Sequence, residues 1–163
     1  KDYQQMDFFS DPVWDFREFI TLRADDVMKR QRAAPIYLGT LTEARERGEV
    51  DKFKASAEAV ENCKTAIENA IARNYDGSRL NTKAAIAEVR EQFGEKRMAR
   101  VTASLIANRE HDGRIRPENK TWAEKNATTK KVYTDRTHSG LLDIFATRLR
   151  EDLAKKRERG AER

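Results

Sequence analysis

The stretch that decides the fold is DKFKASAEAVENCKTAIENAIAR, residues 51–73. Its apolar side chains recur at steps of four, three, seven and four residues, which places them on one side of an α-helix with about 3.6 residues per turn. The residues of this stripe are Phe53, Ala57, Val60, Ile67 and Ile71. The pattern predicts one long amphipathic helix over the whole stretch.

The same kind of signal on either side of this stretch predicts further helices. Asn81 is typical of a residue that caps the start of a helix, and Gly48 and Gly94 are typical of residues that end one. Leucine and phenylalanine at a spacing of four residues predict a final helix. We therefore predict helices over about 42–47, 51–73, 82–93, 98–106, 117–125 and 139–156, and an N-terminal helix from Pro12 that either continues to about Arg32 or restarts at Asp25.

No stretch shows a sustained alternation of apolar and polar residues, so almost no sheet is expected. We predict an all-α fold, a compact bundle of about five to seven helices with little or no sheet. The segment APIYLG, residues 34–39, is the one place where a short extended segment fits. We divide the chain into an N-terminal helical segment at 1–34, a main helical domain at 35–156 and a charged tail at 157–163.

The composition predicts a small helical core. Leu, Ile, Val and Phe together supply 31 of the 163 residues, whereas alanine alone occurs 21 times. A thin, alanine-lined core is compatible with a dimer or with a fold that a partner stabilises. The single cysteine, Cys63, excludes an internal disulfide. Because no apolar run is long enough to span a bilayer and no signal sequence is visible, we expect no membrane association and a cytoplasmic location.

The positive charge is concentrated in the second half of the chain. Residues 1–95 carry a net charge of −3, residues 96–136 of +6 and residues 137–163 of +2. Such asymmetry is typical of a surface that faces a polyanion. It is equally compatible with a solvated helical surface rich in Lys and Arg, because acidic residues are mixed in. The charge alone does not decide between these two interpretations.

Two similar stretches, NYDGSRLN at 74–81 and EHDGRIRP at 110–117, each follow a predicted helix. An Asp-Gly loop can in principle bind calcium, but a calcium loop needs oxygen donors at alternating positions. Both stretches place arginine or apolar side chains where those donors should be, so we interpret them as corners between helices. Gly77 and Gly113 are predicted to end the preceding helices by adopting the left-handed backbone conformation.

The second of these corners lies in a cluster of basic residues that we predict to be a nucleic-acid or partner-binding site. Lys and Arg neutralise phosphates, and an exposed aromatic ring can stack on a base. The residues are Arg109, Arg114, Arg116, Lys120, Trp122, Lys125, Lys130 and Lys131. For Trp122, burial against the central helices is favoured over stacking.

The sequence gives little indication of catalysis. The two histidines, His111 and His138, are 27 residues apart, and neither forms a helical pair with a glutamate. The glycine-rich phosphate loop, the dinucleotide-binding pattern and the hydrolase nucleophile motif do not occur. Cys63 lies on the apolar stripe, so we interpret it as a small buried side chain rather than a nucleophile. We therefore predict a protein that is not an enzyme and uses no cofactor and no metal.

Three blocks of the sequence together resemble a known domain family. They are CKTAIENAIARNYDGSRLN at 63–81, VTASLIANREHDGRIRPENKTWAEK at 101–125 and HSGLLDIFATRLR at 138–150. The family is an uncharacterised helical domain in proteins of conjugative elements, plasmids and phages of gut Firmicutes, and the resemblance extends over residues 35–150. It brings no activity and no catalytic residue with it.

What the resemblance implies is a context of mobile DNA in competition with host defence. Small proteins of such elements often bind and block defence nucleases. One hypothesis is therefore an anti-CRISPR-like inhibitor that binds a bacterial nuclease such as a Cas effector, or its DNA or RNA. The alternative is a general nucleic-acid-binding accessory factor for plasmid or phage transfer or replication. A small hydrolase is the least favoured alternative.

Overall fold

The computed structural model describes residue 32, residues 34–109 and residues 113–161. These residues form six α-helices, which we number in chain order. They are α1 Leu41–Arg47, α2 Val50–Arg73, α3 Thr82–Phe93, α4 Glu95–Ala107, α5 Pro117–Asn126 and α6 Ser139–Ala161. No strand occurs in this part of the chain, where an isolated bridge joins Tyr75 and Leu80. The predicted all-α bundle of five to seven helices is confirmed.

Some predictions concern residues outside the described part of the chain. The N-terminal helical segment predicted at 1–34 lies almost wholly outside it, as do residues 110–112 of the second Asp-Gly stretch. Residues 35–38, where the sequence allows an extended segment, have no regular structure. Tyr37 from this segment contacts Phe53 edge-on, with ring centroids 6.0 Å apart, so the segment is attached to α2.

The long helix α2 begins and ends within one residue of its predicted bounds. Val60, Ile67 and Ile71 of the predicted stripe are buried. Cys63 lies between them and is also buried, which confirms its interpretation as a small core residue. Helix α2 packs against α3 and α4, and the burial of apolar surface is the main force that holds such helices together.

Helix α4 lies at the centre of the bundle and contacts α2, α3, α5 and α6. The predicted apolar residues of this helix, Met98, Val101, Leu105 and Ile106, are buried. Six consecutive residues, 101–106, are buried, so the helix is enclosed on every side. The small residues Ala103 and Ser104 belong to this run, and they leave room for the larger side chains of neighbouring helices.

Several helix ends follow from the local sequence as predicted. The Asn81 side chain accepts a hydrogen bond from the Ala84 N–H at 3.2 Å and so caps the start of α3. Gly48 ends α1 with a φ of 69°, and Gly94 ends α3 with a φ of 83°. A side chain with a Cβ is strained in this region of φ, which is why glycine is favoured there.

The prediction that Gly77 and Gly113 end helices is wrong. Helix α2 ends at Arg73 and helix α4 at Ala107, and their C-caps are Asn74 and Asn108. The side-chain amide of each asparagine donates to the carbonyl oxygen four residues earlier, at 2.7 Å in α2 and 2.8 Å in α4. The backbone N–H of each asparagine donates to the same carbonyl oxygen, at 3.1 Å and 3.0 Å. Gly77 has a positive φ, of 95°, but it lies four residues beyond the end of α2.

Helix α6 is longer than predicted. It continues past Lys156 to Ala161 and so includes most of the segment predicted as a charged tail. Its first half is buried against the bundle, whereas residues 154–160 are exposed. Lys156 forms an ion pair with Glu95 at the start of α4, with 2.5 Å between Nζ and Oε2. This contact joins the extension to the bundle, although a surface pair contributes little stability.

Candidate binding surface

The loop between α2 and α3, residues 74–81, is a closed turn. Tyr75 and Leu80 form its antiparallel bridge, and the two residues that flank this bridge are joined by an N–H to carbonyl bond of 2.9 Å. Gly77 adopts a φ of 95° within the turn. The backbone therefore brings the side chains of Tyr75 and Leu80 close to each other at the base of the loop.

Asp76 stabilises this loop from within. Its Oδ1 atom accepts hydrogen bonds from the backbone N–H groups of Ser78 at 2.8 Å and Arg79 at 2.7 Å. The N–H of Arg79, followed by that of Ser78, holds the pKa of Asp76 below its ordinary value. The Asp-Gly stretch is thus a corner in which the Asp76 carboxylate binds backbone N–H groups of the same loop.

A groove of about 600 Å³ lies between this loop and the first turns of α6. The described residues that line it are Tyr75, Ser78, Arg79, Leu80, His138, Gly140, Leu141 and Ile144. Tyr75 is 37% exposed and Ile144 is 43% exposed, which is unusual for large apolar side chains in this structure. None of these lining residues is acidic. The groove therefore combines apolar side chains with a positively charged rim.

Arg114 is a predicted site residue that contacts a side chain lining this groove. It lies in the loop between α4 and α5, is exposed, and contacts the imidazole of His138. His138 in turn accepts a hydrogen bond through Nδ1 from the Gly140 N–H at 3.2 Å, which caps the first turn of α6. On the opposite wall, Arg79 is also exposed. One cation, Arg79, therefore lines the groove, and a second, Arg114, lies next to His138 of the opposite wall.

Arg109, in contrast, holds parts of the fold together. Its guanidinium donates to the Ser139 hydroxyl at 2.9 Å and to the carbonyl oxygens of Thr134 and Thr137 at 2.6 and 2.7 Å. These bonds join the end of α4 to the segment that precedes α6. Arg109 therefore positions one wall of the groove, and most of its donors are already used within the chain.

Arg116 also has partners within the chain. Its backbone N–H donates to Asp143 Oδ1 at 3.0 Å, its Nε lies 3.4 Å from Asp143 Oδ2, and its Nη1 donates to the Thr147 hydroxyl at 3.2 Å. The Asp143 side chain is only 6% exposed. A carboxylate so deeply buried needs a nearby cation or several hydrogen-bond donors. Arg116 therefore joins the start of α5 to α6.

The remaining predicted site residues are dispersed. Lys130 forms an ion pair of 3.0 Å with a glutamate of α2, and Trp122 packs against the core, as the favoured interpretation expects. Lys120 is half-buried, whereas Lys125 and Lys131 are exposed. Helix α5 carries two glutamates among its lysines. The eight predicted residues therefore do not form one continuous basic face.

Sequence reasoning missed a buried polar cluster between α5 and α6. Asn119 is fully buried, and its amide donates to Asp143 Oδ1 at 2.6 Å and to the Thr147 hydroxyl at 2.9 Å. The Nε of Arg150 donates to the side-chain Oδ1 of Asn119 at 3.0 Å. The sequence contains one indication that Asn119 is buried. It lies four residues before Ala123, so both residues lie on the same side of the helix, and Ala123 is buried.

The described residues offer little for covalent or metal chemistry. Burial raises the pKa of the Cys63 thiol to about 12, with the charge of Arg97 acting in the opposite direction. A thiol with such a pKa is a poor nucleophile near neutral pH. In this part of the chain, no three His, Cys, Asp or Glu side chains come together in a way that could hold a metal ion. None of the described helices has the length and apolar character needed to cross a membrane.

Comparison with known proteins identifies a family. The family model described as "Protein of unknown function (DUF3849)" matches residues 36–154, which include α1 to α5 and most of α6. This match agrees with the resemblance to an uncharacterised domain that the sequence indicates over residues 35–150. No curated protein and no solved structure matches the chain. The chain belongs to the DUF3849 family.

Proposed function

We propose that this member of the DUF3849 family is a non-enzymatic binding protein of a mobile genetic element that inhibits a bacterial RNA-guided defence nuclease. The proposed partner is a Cas effector loaded with its guide RNA. The context is supported by the resemblance of three sequence blocks to domains of conjugative elements, plasmids and phages. Such elements compete with host defence, and an inhibitor needs only to bind its target.

The observation that carries the proposal is the groove between the 74–81 loop and α6. Protein interfaces are enriched in Tyr and Arg, and a few anchoring side chains supply most of their binding energy. In this groove, Tyr75 and Ile144 are exposed apolar side chains, and Arg79 is an exposed cation beside them. This combination supports a role in docking a macromolecule.

The same groove is poorly suited to acid–base catalysis. A general acid and a general base must both lie within hydrogen-bond reach of the reacting atoms. The described lining of the groove contains one imidazole, His138, and no carboxylate. The Nδ1 atom of that imidazole already accepts the Gly140 N–H. The composition of the groove therefore favours binding over catalysis.

The charge of the chain supports a partner that carries negative charge. Residues 96–136 hold the largest net positive charge, and Arg114, Lys125 and Lys131 within them are exposed. A positive field of this kind accelerates the approach of a negatively charged partner, and its effect decreases with added salt. A nuclease that carries a guide RNA is such a partner.

The proposal is tested by adding the purified full chain to RNA-guided nucleases from bacteria that host such elements and measuring cleavage of a target duplex. We expect cleavage by at least one nuclease to decrease in proportion to the protein added, and to stop near equal molar amounts. A restriction enzyme that uses no guide RNA serves as the control and should keep its activity. Full activity of every nuclease at about a tenfold molar excess of the protein would overturn the proposal.

The basic excess also supports the alternative, a general nucleic-acid-binding accessory factor. Such a protein binds bare DNA or RNA, and its affinity falls steeply with added salt. Gel-shift series at increasing salt, with one duplex and one single strand, distinguish the two functions. Salt-sensitive binding to bare nucleic acid, together with unaffected nucleases, would favour the accessory factor.

A further inference from the structure

We infer that the groove between residues 74–81 and the start of α6 is a docking site for an acidic peptide segment of a protein partner. The segment places an apolar side chain between Tyr75 and Ile144 and a carboxylate near Arg79. The inference rests on the proposed function in one respect, namely that the protein acts by binding a macromolecule. It goes further by naming the surface and the chemistry of the bound segment.

The apolar part of the groove has a firm base. Leu80 and Leu141 are partly buried and pack against the hydrophobic core. Tyr75 and Ile144 line the same groove and keep large exposed fractions. An inserted leucine, isoleucine or phenylalanine side chain would remove apolar surface of both partners from water, which is the main driving force for association. The groove therefore selects an apolar anchor.

The charges around the groove select an acidic segment. Arg79 is exposed and forms no ion pair with another described residue. Arg114 approaches the opposite wall through His138. The nearby carboxylate of Asp76 is held by two backbone N–H groups of its own loop. An aspartate or glutamate next to the anchor therefore meets Arg79 and no opposing acid from the described lining.

The same features favour a peptide over a single-stranded nucleic acid. Single-strand binding sites combine several aromatic rings, on which bases stack, with a row of cations that follows the phosphates. The described lining contains one phenol ring, Tyr75, whose hydroxyl donates to the Gly77 carbonyl oxygen at 2.9 Å. It also contains one imidazole, His138, which is held by the Gly140 N–H and contacts Arg114. The other apolar lining residues are Leu80, Leu141 and Ile144. Branched aliphatic side chains pack against a similar side chain better than against a base.

Both walls of the groove are held in place before any partner binds. The 74–81 loop is closed by its bridge and by the bonds to Asp76. The start of α6 is held by Arg109, which donates to Ser139, and by the cap that His138 provides. A binding site that is already ordered loses little conformational entropy when it binds, so a short segment can bind with useful affinity.

The inference is tested by selecting a library of short random displayed peptides on the immobilised full chain. The same library is selected on the groove variant Arg79→Glu/Ile144→Glu, which reverses one cation and removes the apolar wall. Both side chains are exposed, so this variant should keep the helical circular dichroism and the melting temperature of the wild type. A peptide selected only by the wild type is then synthesised and its affinity is measured for each protein.

The matched control is Lys54→Glu/Tyr133→Glu. It reverses an exposed cation and replaces an exposed apolar ring with a carboxylate, and neither residue lines the groove. Lys54 lies 19 residues before Arg73, the last residue of α2, which corresponds to about 30 Å of helix. The control therefore reproduces the chemical changes of the groove variant away from the groove.

We expect the selected peptides to be rich in Asp and Glu around a leucine, isoleucine or phenylalanine. Their affinity for the groove variant should be lower by at least about tenfold, while the control should match the wild type. Neutral or basic selected peptides, or equal selection by wild type and groove variant, would overturn the inference. So would a single-stranded oligonucleotide whose binding is lost in the groove variant, because it would assign the groove to nucleic acid.

The outcomes also separate this inference from the proposed function. Acidic peptides that need the groove, together with unaffected nucleases, would retain the docking site and reject the proposed inhibition. Inhibition of a nuclease by the wild type and the groove variant alike would retain the function and reject the docking site.

Discussion

At the scale of single residues, Asn119 stabilises the contact between α5 and α6. It is fully buried and bonded to Asp143, Thr147 and Arg150. We expect Asn119→Ala to lower the free energy of unfolding by about 2–3 kcal/mol, because it leaves buried polar partners unsatisfied. Urea denaturation followed by circular dichroism measures this change.

The control for Asn119→Ala is Lys125→Ala, a change on the exposed side of the same helix. We expect this substitution to change the free energy of unfolding by less than about 0.5 kcal/mol. An Asn119→Ala protein as stable as the control would mean that the buried cluster contributes no net stability.

Cys63 provides a second test at this scale. Because burial raises the pKa of its thiol to about 12, almost none of the reactive thiolate is present at neutral pH. We expect a thiol reagent at pH 8 to modify Cys63 slowly in the folded protein and rapidly in urea. Equally rapid modification under both conditions would show that the helix α2 face is open to solvent.

Substitutions at Arg116 and Lys131 test which cations of the basic segment stabilise the fold. Arg116→Glu places a carboxylate beside the nearly buried Asp143, so we expect a melting temperature several degrees lower, in line with a loss of about 1 kcal/mol. Lys131 is exposed, so Lys131→Glu should leave the melting temperature nearly unchanged. Equal melting temperatures would show that the contact between Arg116 and Asp143 does not stabilise the fold.

At the scale of elements, periodicity and caps could be predicted because they depend on neighbouring residues. The stripe of α2 and the cap at Asn81 are of this kind. Successive residues of the stripe, and the two residues joined by the cap, are no more than about two helical turns apart. The glycine signal does not identify the residues that cap α2 and α4, because Asn74 and Asn108 cap these helices before the chain reaches Gly77 and Gly113. An asparagine near the last turn can therefore end a helix before a glycine further along the chain does.

The junction between α2 and α3 should respond to pH. Arg73 and Glu88 are joined by an ion pair of 2.5 Å, and the hydrogen bond from Arg73 holds the pKa of Glu88 below its ordinary 4.5. Because the folded pKa is lower than the unfolded one, the pair stabilises the fold above about pH 4.5. Its contribution is lost as the pH falls through the folded pKa.

We therefore expect Glu88→Gln to cost less than about 1 kcal/mol at neutral pH, because both side chains of the pair are partly exposed. The difference from the wild type should disappear at pH values well below 4.5. Denaturation curves over a series of pH values measure it. A difference that grows on acidification would contradict the assigned role of Glu88.

At the scale of the whole molecule, the candidate site could be predicted only in part. The sequence shows that residues 109–131 are basic, but it does not show which cations have partners far along the chain. Arg109 and Arg116 bind residues more than 20 positions away. The groove depends on the approach of Tyr75 to Ile144, which are 69 positions apart. Packing of helices creates such a surface, and local patterns do not encode it.

The central claim is that the protein acts by docking a partner in the groove between residues 74–81 and α6. The most direct test is the affinity of a guide-loaded nuclease that the chain inhibits for three immobilised proteins, measured by biolayer interferometry. The proteins are the wild type, Arg79→Glu/Ile144→Glu and Lys54→Glu/Tyr133→Glu. We expect the groove variant to bind at least about tenfold more weakly, while the control matches the wild type. Equal affinities for all three proteins would contradict the claim.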